Sequence, residues 1–159
     1  MGIKMGIFCG NAAVEINFPD RTRVLKAPPH QEVLANPKET IREALNNPIH
    51  HQPVIKLVGK GARILIAFDD LAVPVPPMLP PDNREQVITV LLEELLAAGV
   101  QKKDITLVCA NGIQRMWKRT ELKTILGESI LQSFGPGQLI GPDGEDPAQL
   151  SHLGFTDNG

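Results

Sequence analysis

The stretch RILIAFDDLAVPVPPMLPPD, Arg63 to Asp82, decides the fold of this chain. The run Arg63–Phe68 is almost continuously apolar, which predicts a parallel strand that is covered on both faces. The strand ends at Asp69 and Asp70, and a proline-dense loop then leads towards a helix. Because ligands of open α/β sheets bind outside the carboxyl ends of the strands, this loop is the first candidate site.

A helix and a second strand complete a βαβ unit. The segment Asp82-Asn83-Arg84-Glu85 has a capping-box pattern, and the helix it opens carries apolar residues at helical spacing until Gly99. Asp104–Ala110 is the next strand, so the two strands should be parallel and the crossover right-handed. The expected fold class is therefore α/β, a Rossmann-like parallel sheet with flanking helices.

Weaker patterns predict the remaining elements. Alternating apolar residues in 11–26, around a turn at Pro19-Asp20, predict an N-terminal β-hairpin before the sheet. Asn36 and Pro37 predict the start of a helix that ends near Asn46. The shorter expected elements are a helical turn at Val54–Val58, a helix at Thr120–Leu126 that Gly127 stops, a helix or strand at 129–133 and a short helix at Asp146–Leu150.

Length and charge narrow the class of protein. The chain has 159 residues and a net charge of -2 without a Lys/Arg run, which argues against nucleic acid or an anionic membrane as partner. No apolar stretch approaches the ~20 residues of a transmembrane helix, and no signal peptide is visible, so a cytoplasmic protein is expected. We expect 1–10 to be a leader and 11–159 to be one α/β domain, truncated at its loop-rich end.

The histidines and cysteines do not form a metal-binding motif. Cys9 and Cys109 lie far apart, and Cys109 falls inside an expected strand, which favours a buried free thiol over a disulfide. The pair His50-His51 is expected in an exposed loop. No metal site is therefore predicted within this chain.

Polar residues follow both strands of the predicted sheet. Asp69 or Asp70 can bind a hydroxyl-bearing ligand or act as a base, and only one should enter a site because successive strand residues point opposite ways. The alternative is that they solvate the loop or cap a helix. The backbone of Asn111-Gly112 can meet a phosphate, and Arg115 can bind phosphate or carboxylate or be an ordinary surface residue. Trp117 can be a ligand platform, but a core or partner-facing role is favoured.

With these residues in view, the chain resembles the N-terminal domain of the LarA-type, nickel-dependent lactate racemases. The resemblance runs from about Val14 to the end and rests on the order and spacing of several segments. These are the hairpin, PKETIREALNNPI, the stretch from Gly59 to Pro80, LLEELLAAGVQKKDITLVCANG, TELKTILGESIL and DPAQLSHLG.

The resemblance implies a two-domain enzyme with its active site between the domains. Such an enzyme racemises or epimerises a 2-hydroxy acid by hydride transfer at a nickel-pincer nucleotide, a nicotinate-derived cofactor tethered to a lysine. The tethering lysine and the nickel-binding histidines would lie beyond Gly159, in a C-terminal domain that is missing here, and neither Lys118 nor Lys123 falls at the lysine position. No cofactor is therefore expected on this chain alone, and the isolated chain is expected to be inactive.

Two positions depart from the family pattern. Members show Asp-x-x-Arg-Pro-x-Pro after the first core strand, and here Asp70 matches while Val73 stands at the Arg position. They show Gly-x-His-Arg after the next strand, and here Gln114 stands at the position of the catalytic His. Valine cannot pair with a carboxylate, and glutamine cannot take a proton at neutral pH. The predicted substrate- or cofactor-binding residues are Asp69, Asp70, Val73, Asn111, Gly112 and Arg115, with Gln114 at the catalytic position.

Three functions remain open from the sequence. The chain is part of a racemase or epimerase with a changed substrate or changed acid-base groups, or a non-catalytic homologue that binds a nucleotide or small organic acid, or a scaffold in a larger assembly. A downstream lysine and histidines in the full gene would favour the first.

Overall fold

The computed structural model describes residues 2–29, 32–72 and 80–155. The chain divides into two compact units, Met1–Val33 and Leu34–Gly159. The first contains an antiparallel hairpin, and the second contains the parallel sheet and its helices.

The hairpin lies nearer the N-terminus than the sequence predicts. Strand β1 (Ile3–Cys9) pairs with β2 (Ala12–Phe18), and Gly10 takes a positive φ of 63° in the short turn between them. Placing the hairpin around Pro19-Asp20 is therefore wrong, because the turn there is not followed by a strand. A glycine in a two-residue connection suits a hairpin better than a proline, and β1 is formed by residues that the sequence places in a leader.

The second unit holds a three-stranded parallel sheet. Its order is β3 (Ile64–Asp69), β4 (Ile105–Ala110) and β5 (Leu139–Ile140). The predicted α/β class, with a parallel sheet, helices and an N-terminal hairpin, is confirmed. Strand β5 is not predicted, because it comprises two residues within a glycine- and proline-rich segment.

Local capping defines the helix starts that the sequence predicts. The helices are α1 (Pro37–Asn46), α2 (Val54–Leu57), α3 (Asn83–Ala97) and α4 (Arg119–Ser133), with 3₁₀ turns at Lys102–Asp104 and Pro147–Gln149. Asn36 Oδ1 accepts the backbone N–H of Glu39 at 3.4 Å. Asp82 Oδ1 accepts the backbone N–H of Arg84 at 2.8 Å.

The predicted stop at Gly127 is confirmed as a break inside α4, because its φ of 71° and ψ of 167° are non-helical. A second helical segment follows it to Ser133, so the expected helix or strand at 129–133 is a helix. A Cβ at this glycine would overlap the Glu85 side chain of α3. Ile130 and Leu131 of the second helical segment are buried in the core, which holds that segment against the rest of the domain.

The core lies on one face of the sheet. Ile66 and Phe68 of β3 are buried among side chains of α3, α4 and β4. Leu65, which points to the other face, is 67% exposed. The expectation that β3 is covered on both faces is therefore wrong among the described residues, and β3 is an edge strand.

Candidate functional site

The carboxyl ends of β3 and β4 lie side by side. Asp69 pairs in register with Ala110, so the loops that follow the two strands leave the same edge of the sheet. The parallel strands predicted from the sequence would place Asp70 beside the Asn111–Arg115 loop, and this register does so. Their role in binding a ligand stays a prediction.

Asp70 joins the two loops. Its carboxylate is buried, accepting the backbone N–H of Ala72 at 2.9 Å and the indole N–H of Trp117 at 3.0 Å. The Asp69 side chain is 52% exposed, so the two aspartates have different surroundings, as the alternation of a strand predicts. Asp70 is therefore a connection between the loops rather than a solvent-facing base.

Arg84 holds both ends of the first loop, which connects β3 to α3. Its Nη1 donates to Asp70 O at 2.8 Å and to Asp69 Oδ2 at 3.1 Å. Its Nε and Nη2 donate to the two oxygens of Asp82 at 2.9 and 2.8 Å. The side-chain hydrogen bonds from Arg84 hold the pKa of Asp82 below its usual value, which keeps this pair ionised. The end of β3 and the start of α3 are thus fixed to one guanidinium.

Asn111 holds the second loop, which connects β4 to α4, through hydrogen bonds from its buried side chain. It is buried, and its Nδ2 donates to Gln114 O, Arg115 O and Pro142 O at 3.0, 3.2 and 2.9 Å. Its backbone N–H donates to Cys109 O at 3.0 Å, so this N–H is already used within the chain. Asn111 Oδ1 is buried without a partner in the described part of the protein. Gly112 follows with φ 57°, a conformation that favours glycine.

The guanidinium of Arg115 lies over the ring of Trp117, with 4.2 Å between the guanidinium carbon and the ring centre. It also forms a two-point ion pair with Glu121, at 3.0 and 2.8 Å. The hydrogen bonds from Arg115, and then that from the Lys118 backbone, lower the pKa of Glu121 to about 2. The charge of Arg115 is therefore opposed by a permanent anion.

Of the two positions that depart from the family pattern, Gln114 and Val73, only Gln114 lies among the described residues. Gln114 is exposed, and no side-chain hydrogen bond holds it within the described residues. Val73 lies outside the described residues. Behind the loops, Cys109 is a buried free thiol, as predicted, and burial raises its pKa to about 11 with a further contribution from the Asp70 charge.

Sequence reasoning misses one residue of this region, Arg84, and one contact of another, Trp117. Trp117 packs against the core, as favoured from the sequence, but its hydrogen bond to Asp70, 47 positions away, is not predicted. In the sequence, Arg84 indicates only the start of a helix. The available signals are that Trp117 is the only tryptophan and that Arg84 stands two positions after a capping aspartate.

A shallow hollow of about 330 Å³ opens on the outer edge of β3. Its charged lining residues, Asp69 and Arg84, are paired with each other at 3.1 Å, and the remainder of the lining is mostly apolar. The hollow therefore presents no uncompensated charge to a ligand.

The match to a family covers this region and most of the chain. The model of the lactate racemase N-terminal domain matches residues 9–159. The chain belongs to this family. The resemblance seen in the sequence is thus confirmed, while a search of curated proteins gave no match. No helix among the described residues of this lactate racemase N-terminal domain is long and apolar enough to cross a membrane.

The described residues do not suit the metal of the nickel-pincer nucleotide. In residues 2–29, 32–72 and 80–155, no three His, Cys, Asp or Glu side chains come together as ligands. Asp70, whose buried carboxylate lies at this edge, is already bound to Trp117. A soft or borderline metal favours imidazole and thiolate ligands, and the one thiol that the described residues place behind this edge, Cys109, is buried with a raised pKa.

Proposed function

We propose that this chain forms one wall of the substrate cleft in a lactate racemase-like enzyme that racemises or epimerises a 2-hydroxy acid. The observation that carries the proposal is the joining of the two strand-end loops by the Asp70–Trp117 hydrogen bond of 3.0 Å, in a domain of this family. Ligands of open α/β sheets bind at this edge, and a fixed pair of loops can hold a small substrate in one orientation.

In this proposal the residues of this chain bind and orient the substrate, and they do not transfer its protons. Gln114 can donate to and accept from a substrate hydroxyl, but its amide cannot take the proton. Asp70, held between Ala72 and Trp117, keeps the loops in register. The hydride chemistry that the family resemblance implies belongs to the nickel-pincer nucleotide, whose ligands and tethering lysine we assign to the C-terminal domain.

The alternative is a non-catalytic homologue that binds a nucleotide or a small organic acid. It is favoured by Gln114 at the family's His position and Val73 at its Arg position. Both substitutions remove a group that catalysis of the family reaction needs, and neither removes the loops themselves.

The deciding experiment measures turnover with the whole enzyme and with this chain. A protein that joins this domain to its C-terminal domain, loaded with the nickel-pincer nucleotide, should interconvert the enantiomers of at least one 2-hydroxy acid, as followed by chiral chromatography. The 159-residue chain alone should not interconvert D- and L-lactate. Turnover by the chain alone would contradict the division of labour, and binding without turnover by the loaded enzyme would favour the alternative.

A further inference from the structure

The guanidinium of Arg115 has one edge without an acceptor. Nη1 donates to Met116 O at 3.2 Å and to Glu121 Oε2 at 3.0 Å, which uses both of its hydrogens. Nη2 gives one hydrogen to Glu121 Oε1 at 2.8 Å. The second Nη2 hydrogen and the Nε–H therefore have no acceptor in the described part of the chain. These two N–H groups point the same way and match the two oxygens of a carboxylate.

This free edge is both accessible and held in place. The Arg115 side chain is 59% exposed, so a small solute can reach it. The guanidinium lies over the ring of Trp117, and the indole N–H of Trp117 is bound by the buried carboxylate of Asp70. Glu121 fixes the guanidinium within its own plane. A ligand that binds here meets an ordered fork, which reduces the entropy lost on binding.

Arg84, the arginine beside the first loop, cannot serve in this way. Four of its hydrogen bonds go to the carboxylates of Asp69 and Asp82 and to the carbonyl of Asp70. A carboxylate approaching it would meet two anions that are already paired. Among these two arginines at the sheet edge, only Arg115 offers a free two-point fork.

We propose that Arg115 binds the carboxylate of the substrate through its Nε and Nη2 edge. Trp117 is the positioning residue that orients this edge, and Glu121 weakens the binding by opposing the charge. The inference rests on the proposed function and deepens it, because it states how the acid group of a small 2-hydroxy acid is recognised by this domain.

The test uses the indole N–H of Trp117 as the reporter. It is the only tryptophan, so the labelled 159-residue chain gives one indole signal in a nitrogen–proton NMR spectrum. Lactate and propionate, which share the carboxylate, should shift this signal and that of Arg115 Nε saturably. Lactamide, which keeps the hydroxyl but has no charge, should not.

Three variants separate the fork from general electrostatics. Arg115→Lys keeps the charge and loses the fork, and should weaken lactate binding about tenfold. Glu121→Gln should strengthen it several-fold. Glu128→Gln is the matched control, since Glu128 pairs with Lys123 on the same helix at 2.5 Å, and it should leave binding unchanged.

The positioning role has its own readout. Trp117→Phe keeps an aromatic face but loses the bond to Asp70. Because this variant has no indole, its binding is followed by the Arg115 Nε signal, which should show a reduced preference for lactate over lactamide while the backbone signals stay those of a folded chain. An unchanged preference in folded Trp117→Phe would assign this tryptophan to stability alone and overturn its positioning role.

The inference is overturned if Arg115→Lys binds lactate as the parent does, if Glu121→Gln and Glu128→Gln behave alike, or if lactate and propionate give no saturable shift. The proposed function fails separately. If Arg115-dependent carboxylate binding is found but the loaded two-domain enzyme converts no 2-hydroxy acid, the role of Arg115 is supported and the proposed function is wrong. If the loaded enzyme converts a 2-hydroxy acid and Arg115→Lys leaves that turnover unchanged, the proposed function is supported and the role of Arg115 is wrong.

Discussion

Replacing Asp70 by asparagine should destabilise the domain through one identifiable contact. The amide can still accept the backbone N–H of Ala72, but it cannot accept the Trp117 indole N–H with the same charge-assisted strength, and its NH₂ group faces a donor. Hydrogen bonds to charged groups contribute about 1.5–3 kcal/mol, and an unpaired buried donor costs about 1–3 kcal/mol. We expect Asp70→Asn to lower the free energy of unfolding by about 2–3 kcal/mol.

Urea denaturation followed by circular dichroism measures this loss, and a double-mutant cycle with Trp117→Phe assigns it. The two changes should show a coupling of about 1–2 kcal/mol, because each removes the same bond. Asp69→Asn is the matched control, since its ion pair with Arg84 is half exposed, and it should cost under about 1 kcal/mol. A coupling under about 0.3 kcal/mol would mean that the Asp70–Trp117 bond does not hold the loops together.

Three further predictions concern the same unit. Gly127→Ala, at φ 71° and against a side chain of α3, should lower the free energy of unfolding by at least about 1–3 kcal/mol in urea titrations, whereas Gly137→Ala, with open space around it, should leave it nearly unchanged. Exposed Cys9 should react quickly with a thiol reagent at pH 8, while Cys109, whose pKa burial raises to about 11, should react only on unfolding; two fast thiols in the native chain would refute this. Because the pKa of Glu121 is lowered to about 2, its contribution to stability should be complete above pH 4.5 and disappear as the pH falls towards 2, as NMR titration of its carboxyl carbon would report; a midpoint near 4.5 would contradict the ion pair with Arg115.

Local signals in the sequence predict the centre of the fold. The apolar run of β3, the cap at Asp82 and the helical spacing of α3 act over a few residues, and the structure confirms all three. Strand β5 escapes prediction because distant pairing defines it: Leu107 N–H donates to Gln138 O at 2.7 Å. Leu65 is exposed although its strand is apolar, since the burial of one sheet face depends on what packs there and not on the strand itself.

The sequence predicts the position of the candidate site but not the hydrogen bonds and ion pairs within it. Topology alone brings the loop after Asp70 next to the loop after Ala110, because parallel neighbours end at one edge. No local sequence pattern indicates that Trp117 donates to Asp70, or that Arg115 contacts both Trp117 and Glu121. These partners depend on how the second loop folds over Asn111, which the structure alone supplies.

The clamp at Arg84 makes the first loop different from the second. It ties the end of β3 to the start of α3, so that Asp69, Asp70 and Asp82 are held by one side chain. The strand end and the helix start therefore have their own attachment, apart in the sequence from Val73 and Gln114, where this chain departs from the family pattern. The two loops are then not equivalent: the first is attached to the fold by Arg84, whereas Asp70 and Trp117 serve both the stability of the domain and the orientation that we propose for Arg115.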